Sequence, residues 1–156
     1  MKHRGYIYLI FGVVALILFS CDRNRVYDQY AFVNPDGWIP RDGKEFPVEI
    51  TDTVAIYNLY INLRHTNDYP FSNIFFFVQT RFPDGQLYCD TVEYILADPT
   101  GKWTGRGLGK IKDHRFTFRK GIHLPRKGTY VFRIEQAMRE KQLKGIHDVG
   151  LRLERY

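Results

Sequence analysis

The chain has 156 residues, 44% of them hydrophobic and 26% charged, with a net charge of +6. That balance excludes a disordered polar chain and provides for one hydrophobic core. Two cysteines exclude a disulfide-dense scaffold. The basic stretches Arg115 to Lys120 and Arg139 to Lys144 are interrupted by aromatic or acidic residues, so they read as solvated faces and not as a nucleic-acid footprint.

Lys2, His3 and Arg4 give a basic start, and Tyr6 to Phe19 is almost unbroken apolar sequence. That run falls short of the roughly 20 residues a spanning helix needs. With the small residue Ser20 before Cys21, it describes a secretory signal peptide. Leu18-Phe19-Ser20-Cys21 resembles the lipobox of bacterial lipoproteins, with Phe19 bulkier than usual at its position. The resemblance implies that Cys21 receives a diacylglyceryl group and becomes the new N-terminus. The alternatives are an ordinary cleavage site before an unmodified Cys21, and an uncleaved anchor. Leader length, basic start and cysteine position agree on lipidation. The expected organisation is a signal peptide over 1–20, a lipidated tether over 21–25 and a single domain over 26–156. Only Asp22 is acidic just after the cysteine, and Arg23 and Arg25 follow. This favours an outer-membrane lipoprotein that faces the periplasm over one exported to the cell surface. The leader holds two of the 23 Lys and Arg and none of the 17 Asp and Glu, which leaves the rest at +4. With Cys21 lipidated, Cys89 has no partner, and its strand-like surroundings predict a buried small apolar residue.

Val26 to Phe32 reads as the first strand, and Asn34-Pro35-Asp36-Gly37 as a turn. Phe46, Val48 and Ile50 alternate with Pro47, Glu49 and Thr51. Pro47 cannot donate to a ladder and predicts an edge strand. Ala55 to Arg64 alternates longest: Tyr57, Leu59, Ile61 and Leu63 share one face, while Asn58, Tyr60, Asn62 and Arg64 share the other, expected to be wet. Ile74 to Phe82 adds Phe75 and Phe77 on its second face, which predicts a central strand buried on both faces at its start. Pro83-Asp84-Gly85 turns the chain, and Leu87 to Leu96 returns antiparallel. Trp103 to Lys110 carries Gly105, Gly107 and Gly109, but strand-like sequence follows. It reads as an extended segment that lets a neighbour pack closely, not as a phosphate loop. Phe116 and Phe118 share a face of a further strand, and Pro125 to Gly128 turns. Tyr130, Phe132 and Ile134 alternate, Gln136 to Gln142 predicts a helical turn, and Val149, Leu151 and Leu153 mark the last strand. About eight short strands without a long helical period predict an all-β, antiparallel β-sandwich, with a small β-barrel as the alternative.

No catalytic constellation emerges. His65, His114, His123 and His147 lie far apart in sequence without metal-ligand spacing, so no metal and no cofactor are expected. Ser72 is the only serine after Cys21, no nucleophile elbow is present, and Asp90 with Glu93 is a chance carboxylate pair. The reading is of a non-enzymatic protein.

Seven segments in order carry a family resemblance. They are Cys21-Asp22 with Val26 to Tyr30, Tyr57 to Arg64, Asn67 to Asn73, Phe82 to Gly85, Asp90 to Tyr94, Ala97-Asp98-Pro99 with Trp103, Gly105 and Gly107, and a closing group of Gly128 to Tyr130, Ala137 to Arg139 and Gly145 to Arg152. Together they resemble the gliding-motility lipoprotein GldH family of the Bacteroidota over essentially the whole chain. The resemblance implies an envelope lipoprotein of the gliding and type IX secretion apparatus, with no catalytic residue to transfer apart from the lipidated Cys21. The expected partners are other envelope proteins of that machinery, and the membrane through the lipid, with no small-molecule substrate. Asn58, Asn62, Arg64, Asn67, Asp68, Tyr69 and Trp103 are the candidate partner contacts. The alternative function is a carbohydrate- or peptidoglycan-binding sandwich, which exposed aromatics on a sheet face or loop would favour: Tyr60 beside Asn58 and Asn62, or Trp38 and Trp103.

Overall fold

The computed structural model describes residues 22–156. The signal-peptide expectation and the lipidation expected at Cys21 lie outside the described residues. Eight strands follow in order: β1 (Arg25–Phe32), β2 (Lys44–Ile50), β3 (Ile56–Thr66), β4 (Asn73–Arg81), β5 (Leu87–Ile95), β6 (Ile111–His123), β7 (Gly128–Gln136) and β8 (Ile146–Arg155). All pairings are antiparallel. One sheet has the order β1-β8-β3-β6 and the other β2-β7-β4-β5. The two sheets remain separate, so the fold is a sandwich and not a closed barrel. This strand order is that of a jelly roll, two interleaved Greek keys folded face to face.

The core lies between the sheets. The β3 side chains Tyr57, Leu59, Ile61 and Leu63 and the β8 side chains Val149, Leu151 and Leu153 meet Phe46, Val48, Ile74, Phe76, Phe132 and Ile134 from the other sheet, all of them buried. The period-two patterns therefore face where the sequence predicts. Pro47 lies on β2, at a sheet edge. It pairs with Val131 without interrupting the register.

Jelly-roll connectivity sorts the connections by length. The connections over 33–43, 67–72, 96–110 and 137–145 gather at one end. The short ones over 51–55, 82–86 and 124–127, with the residues before β1 and after β8, gather at the other. Trp38 plugs the long-loop end. It is fully buried, its indole donates to Asp42 O at 2.7 Å, and its backbone exchanges two hydrogen bonds with Leu143.

Four expectations need correcting. Cys89 is exposed, because β5 is an edge strand and Cys89 is on the face turned away from the core. Phe77 keeps 46% of its surface, so β4 is central but not buried on both faces. Gln136 to Gln142 is not helical. Gln136 is buried, and its amide donates to Trp38 O and Glu140 O while accepting from Met138 N–H, which folds the segment into an irregular turn. The polar stretch expected as a tether packs on the domain within its described residues 22–25: Arg155 N–H donates to Asn24 O, Asp22 pairs with Arg152, and Arg25 opens β1.

Gly145 sits at φ +84°, and a Cβ there would lie 2.7 Å from Tyr69 Cα. Gly145→Ala is expected to destabilise the domain by about 2–4 kcal/mol through left-handed strain and the clash with Tyr69, measured by urea unfolding.

Candidate functional site

The outer face of the β1-β8-β3-β6 sheet carries a connected polar network with Arg152 at its centre. The Arg152 side chain is only 6% exposed, and it meets Asp22, Asp28 and Glu154. Burial works against its charge, but hydrogen bonds to Asp22, Glu154 and Asp28 outweigh that and hold its pKa above the ordinary arginine value. The same guanidinium holds the exposed Asp22 carboxyl below the usual range. Asn62, fully buried, donates to Asp28 Oδ1 at 3.2 Å and accepts from Arg115 Nε at 3.2 Å. Arg64 reaches Asp113 at 3.3 Å and Asp148 at 3.5 Å, and its guanidinium lies 4.1 Å over the Tyr30 ring. Tyr30 in turn covers Gly150, where a Cβ would lie 2.9 Å from the ring.

The predicted contact residues therefore divide. Asn58, Asn62 and Arg64 share the outer face as expected, but the face is not wet at Asn58 and Asn62. Both are buried because β3 is an inner strand whose neighbours lay long side chains across it. Asn58 Oδ1 accepts from Gly121 N–H at 2.9 Å, beside the irregular pairing of β3 with β6. Asn67 and Asp68 are exposed at the long-loop end, where Asn67 N–H donates to Lys110 O. Tyr69 is buried and donates to Asn73 O at 2.9 Å; burial pushes its phenol well up. Trp103 is half-buried, edge-on to His65 at 4.6 Å.

Folding also brings together two residues that sequence spacing kept apart. His65 and His114 face each other across β3 and β6, Nε2 to Nε2 at 3.0 Å, both buried. His65 Nδ1 lies 2.9 Å from Thr66 O. That contact fits Nδ1–H as the donor, so His65 Nε2 accepts from His114 Nε2–H. Gly105 lies directly on the His114 ring, which is the close approach expected of the glycine-rich segment. Burial lowers the pKa of both rings, and the His65 charge adds to the effect on His114, which falls to about 4. No group of three or more metal-ligating side chains occurs among the described residues.

A third feature lies at the corner where β1 and β8 meet the long loops. Phe32 is 59% exposed and stands edge-on to His147, ring centroids 5.6 Å apart. These two, with Asp68, Thr66, Lys144 and Pro35, line a groove of about 320 Å³. His147 Nδ1 donates to Asp148 Oδ2 at 2.8 Å, while Asp148 Oδ1 is buried without a hydrogen-bond partner. Sequence reading missed this groove; its only signal was Phe32 on the polar side of β1.

The exposed aromatic row that a glycan platform needs is not formed by the three candidates. Trp38 is fully buried, while Trp103 and Tyr60 are half-buried.

Fold and site together define a jelly-roll domain with a locked polar sheet face and a grooved loop end. The model of the GldH lipoprotein family matches residues 25–153. The chain is 36% identical over 151 residues to the "Gliding motility lipoprotein GldH homolog" of Christiangramia forsetii, covering 92% of each chain. It is 37% identical over 161 aligned residues to the "Gliding motility lipoprotein GldH" of Flavobacterium johnsoniae, covering 99% of this chain and 97% of that one. The chain belongs to the GldH lipoprotein family. Among solved structures, a chain of the infectious bursal disease virus VP2 subviral particle aligns at a TM-score of 0.40 and 16% identity, over 85% of this chain and 33% of that one. That likeness is too low to bear on function.

Two outcomes follow from this geometry. Asn62→Ala is expected to lower stability by about 1–3 kcal/mol, because it strips hydrogen bonds from Asp28 and Arg115, and urea unfolding measures it. His114 has a lower pKa folded than unfolded, so the unfolded chain binds more protons as pH falls below 6.5. Stability is therefore lost from about pH 6.5 down to about 4, with the drop from pH 7 to 5 about 2 kcal/mol. Unfolding midpoints across that range should fall, and His114→Gln should flatten the dependence.

Proposed function

We propose that this protein is a lipid-anchored, non-enzymatic component of the gliding-motility and type IX secretion apparatus, working by docking other envelope proteins. In this reading Cys21 carries the lipid after removal of 1–20, and the anchor holds the domain on the periplasmic side of the outer membrane. Two acyl chains or more are needed for a stable anchor, which a diacylglyceryl cysteine supplies. The relatives' names, over nearly full-length matches, support the process. The observation that carries docking is the corner formed by Phe32, His147 and Asp148. An exposed aromatic at the edge of a groove has the composition of an interface anchor. Asp68 lines the same groove, and Asn67 is exposed beside it in the sequence. Arg64, tied to Asp148, couples this corner to the polar sheet face.

The test is affinity isolation of the full-length lipidated protein from cross-linked envelopes. Gliding or secretion components should co-purify with it, and Phe32→Glu should cut their recovery by about tenfold while the protein stays folded and membrane-bound. Undiminished recovery with Phe32→Glu would contradict docking at this corner. Recovery of no envelope machinery by the wild-type protein would contradict the function.

A further inference from the structure

The short-turn end presents a second surface that docking at the long loops leaves unused. Asp22 is fixed there by Arg152, Asn24 by Arg155, and Tyr156 N–H donates to Ile56 O at 2.8 Å, so the starts of β1 and β3 and the end of β8 form one rim. Any lipid on Cys21 is attached one residue from Asp22. On the same rim, Val54 is 84% exposed, Tyr156 77%, Val26 41% and Ile56 40%. Val54 is held out on purpose-built backbone: Asp52 Oδ1 accepts from both Val54 N–H and Ala55 N–H at 3.1 Å, an Asx turn that pushes the valine to the tip. Apolar side chains clustered at one end of a domain call for a cover.

The charge around them is mostly basic. Arg23, Arg25, Lys120 and Lys127 are exposed at or beside this end, and none makes an ion pair among the described residues. Of the acids there, Asp52 is matched by Arg155 at 3.4 Å and Asp84 by Arg126, while Glu49 accepts a hydrogen bond from Thr129 Oγ1 at 2.7 Å and makes no ion pair among the described residues. Apolar tips ringed by unmatched cations, one residue from a lipid attachment, fit the headgroup layer of a bilayer that contains anionic lipid. A tyrosine at the rim is also at home at that depth.

We infer that the short-turn end of the sandwich, with Val54, Ile56, Val26 and Tyr156 among Arg23, Arg25, Lys120 and Lys127, rests on the lipid surface, and so turns the long-loop end away from the membrane. The inference rests on lipidation of Cys21. The anchor alone would let the domain tumble at the surface. The second contact makes it a bracket that always points its groove outward from the bilayer.

The test uses the full-length lipidated protein with Cys89→Ser, reconstituted in vesicles of phosphatidylethanolamine and phosphatidylglycerol. Val54→Cys and Leu108→Cys are labelled separately with a small fluorophore; both sites are exposed, at opposite ends. A nitroxide-bearing lipid should quench the label at 54 several-fold more than at 108, and aqueous iodide should show the reverse order. Arg25→Glu with Lys127→Glu should shrink that contrast while the protein still floats with the vesicles. Equal quenching at the two sites in a protein whose N-terminal peptide has the mass of a lipidated cysteine would overturn the orientation and leave the anchor standing. A peptide without the lipid mass would overturn both.

Discussion

Arg152 is the constraint on which the rest of the arrangement depends. It projects from β8, an inner strand, onto a sheet face covered by other side chains, and its guanidinium has three carboxylates around it. A charge this buried is tolerated only when its hydrogen-bonding groups are matched, and removal of one partner leaves the others stranded. The partners come from different parts of the chain. Asp28 belongs to β1, Glu154 to β8 itself, and Asp22 precedes the first strand. Asn62 joins β3 to the same group through Asp28 and passes the connection to Arg115 on β6. One side chain thus cross-links the outer face of a whole sheet and binds the first described residue to it.

Much of the fold was legible because a half-buried strand writes a period of two. Tyr57 to Leu63, Phe46 to Ile50 and Tyr130 to Ile134 all face the core as their alternation predicts, and Pro47 marks an edge. What was illegible depends on which strands become neighbours. Asn62 reads as a wet-face residue in its own strand and is buried only because β8 and β6 flank it. Cys89 reads as buried in its strand and is exposed because nothing pairs beyond β5. The His65–His114 contact is a register fact: β6 runs beside β3, and no spacing within either segment hints at it. Gln136 to Gln142 has helical propensity, but a buried glutamine with three backbone partners overrides a weak local preference.

The jelly roll gives a small domain two distinct ends. Its connectivity places the long connections at one end and the start of β1 and the end of β8 at the other. The long loops can then vary in shape without touching the end where Asp22 is held. At the loop end, Trp38 and the His65–His114 pair with Trp103 fill the interior, and the Phe32 corner faces outward. The candidate contacts divide along the same lines: buried Asn58, Asn62 and Tyr69 hold the scaffold, while Asn67, Asp68 and part of Arg64 remain available at the surface.

Arg152 makes the segment after Cys21 part of the sheet, so that this segment is held firmly against the domain. Electron paramagnetic resonance of a spin label at Arg23→Cys, in the Cys89→Ser full-length protein in vesicles, measures this directly. The spectrum should be motionally restricted and become mobile when Arg152→Met is added, with the domain still folded. A label already mobile with Arg152 in place, or one equally restricted without it, would contradict the claim.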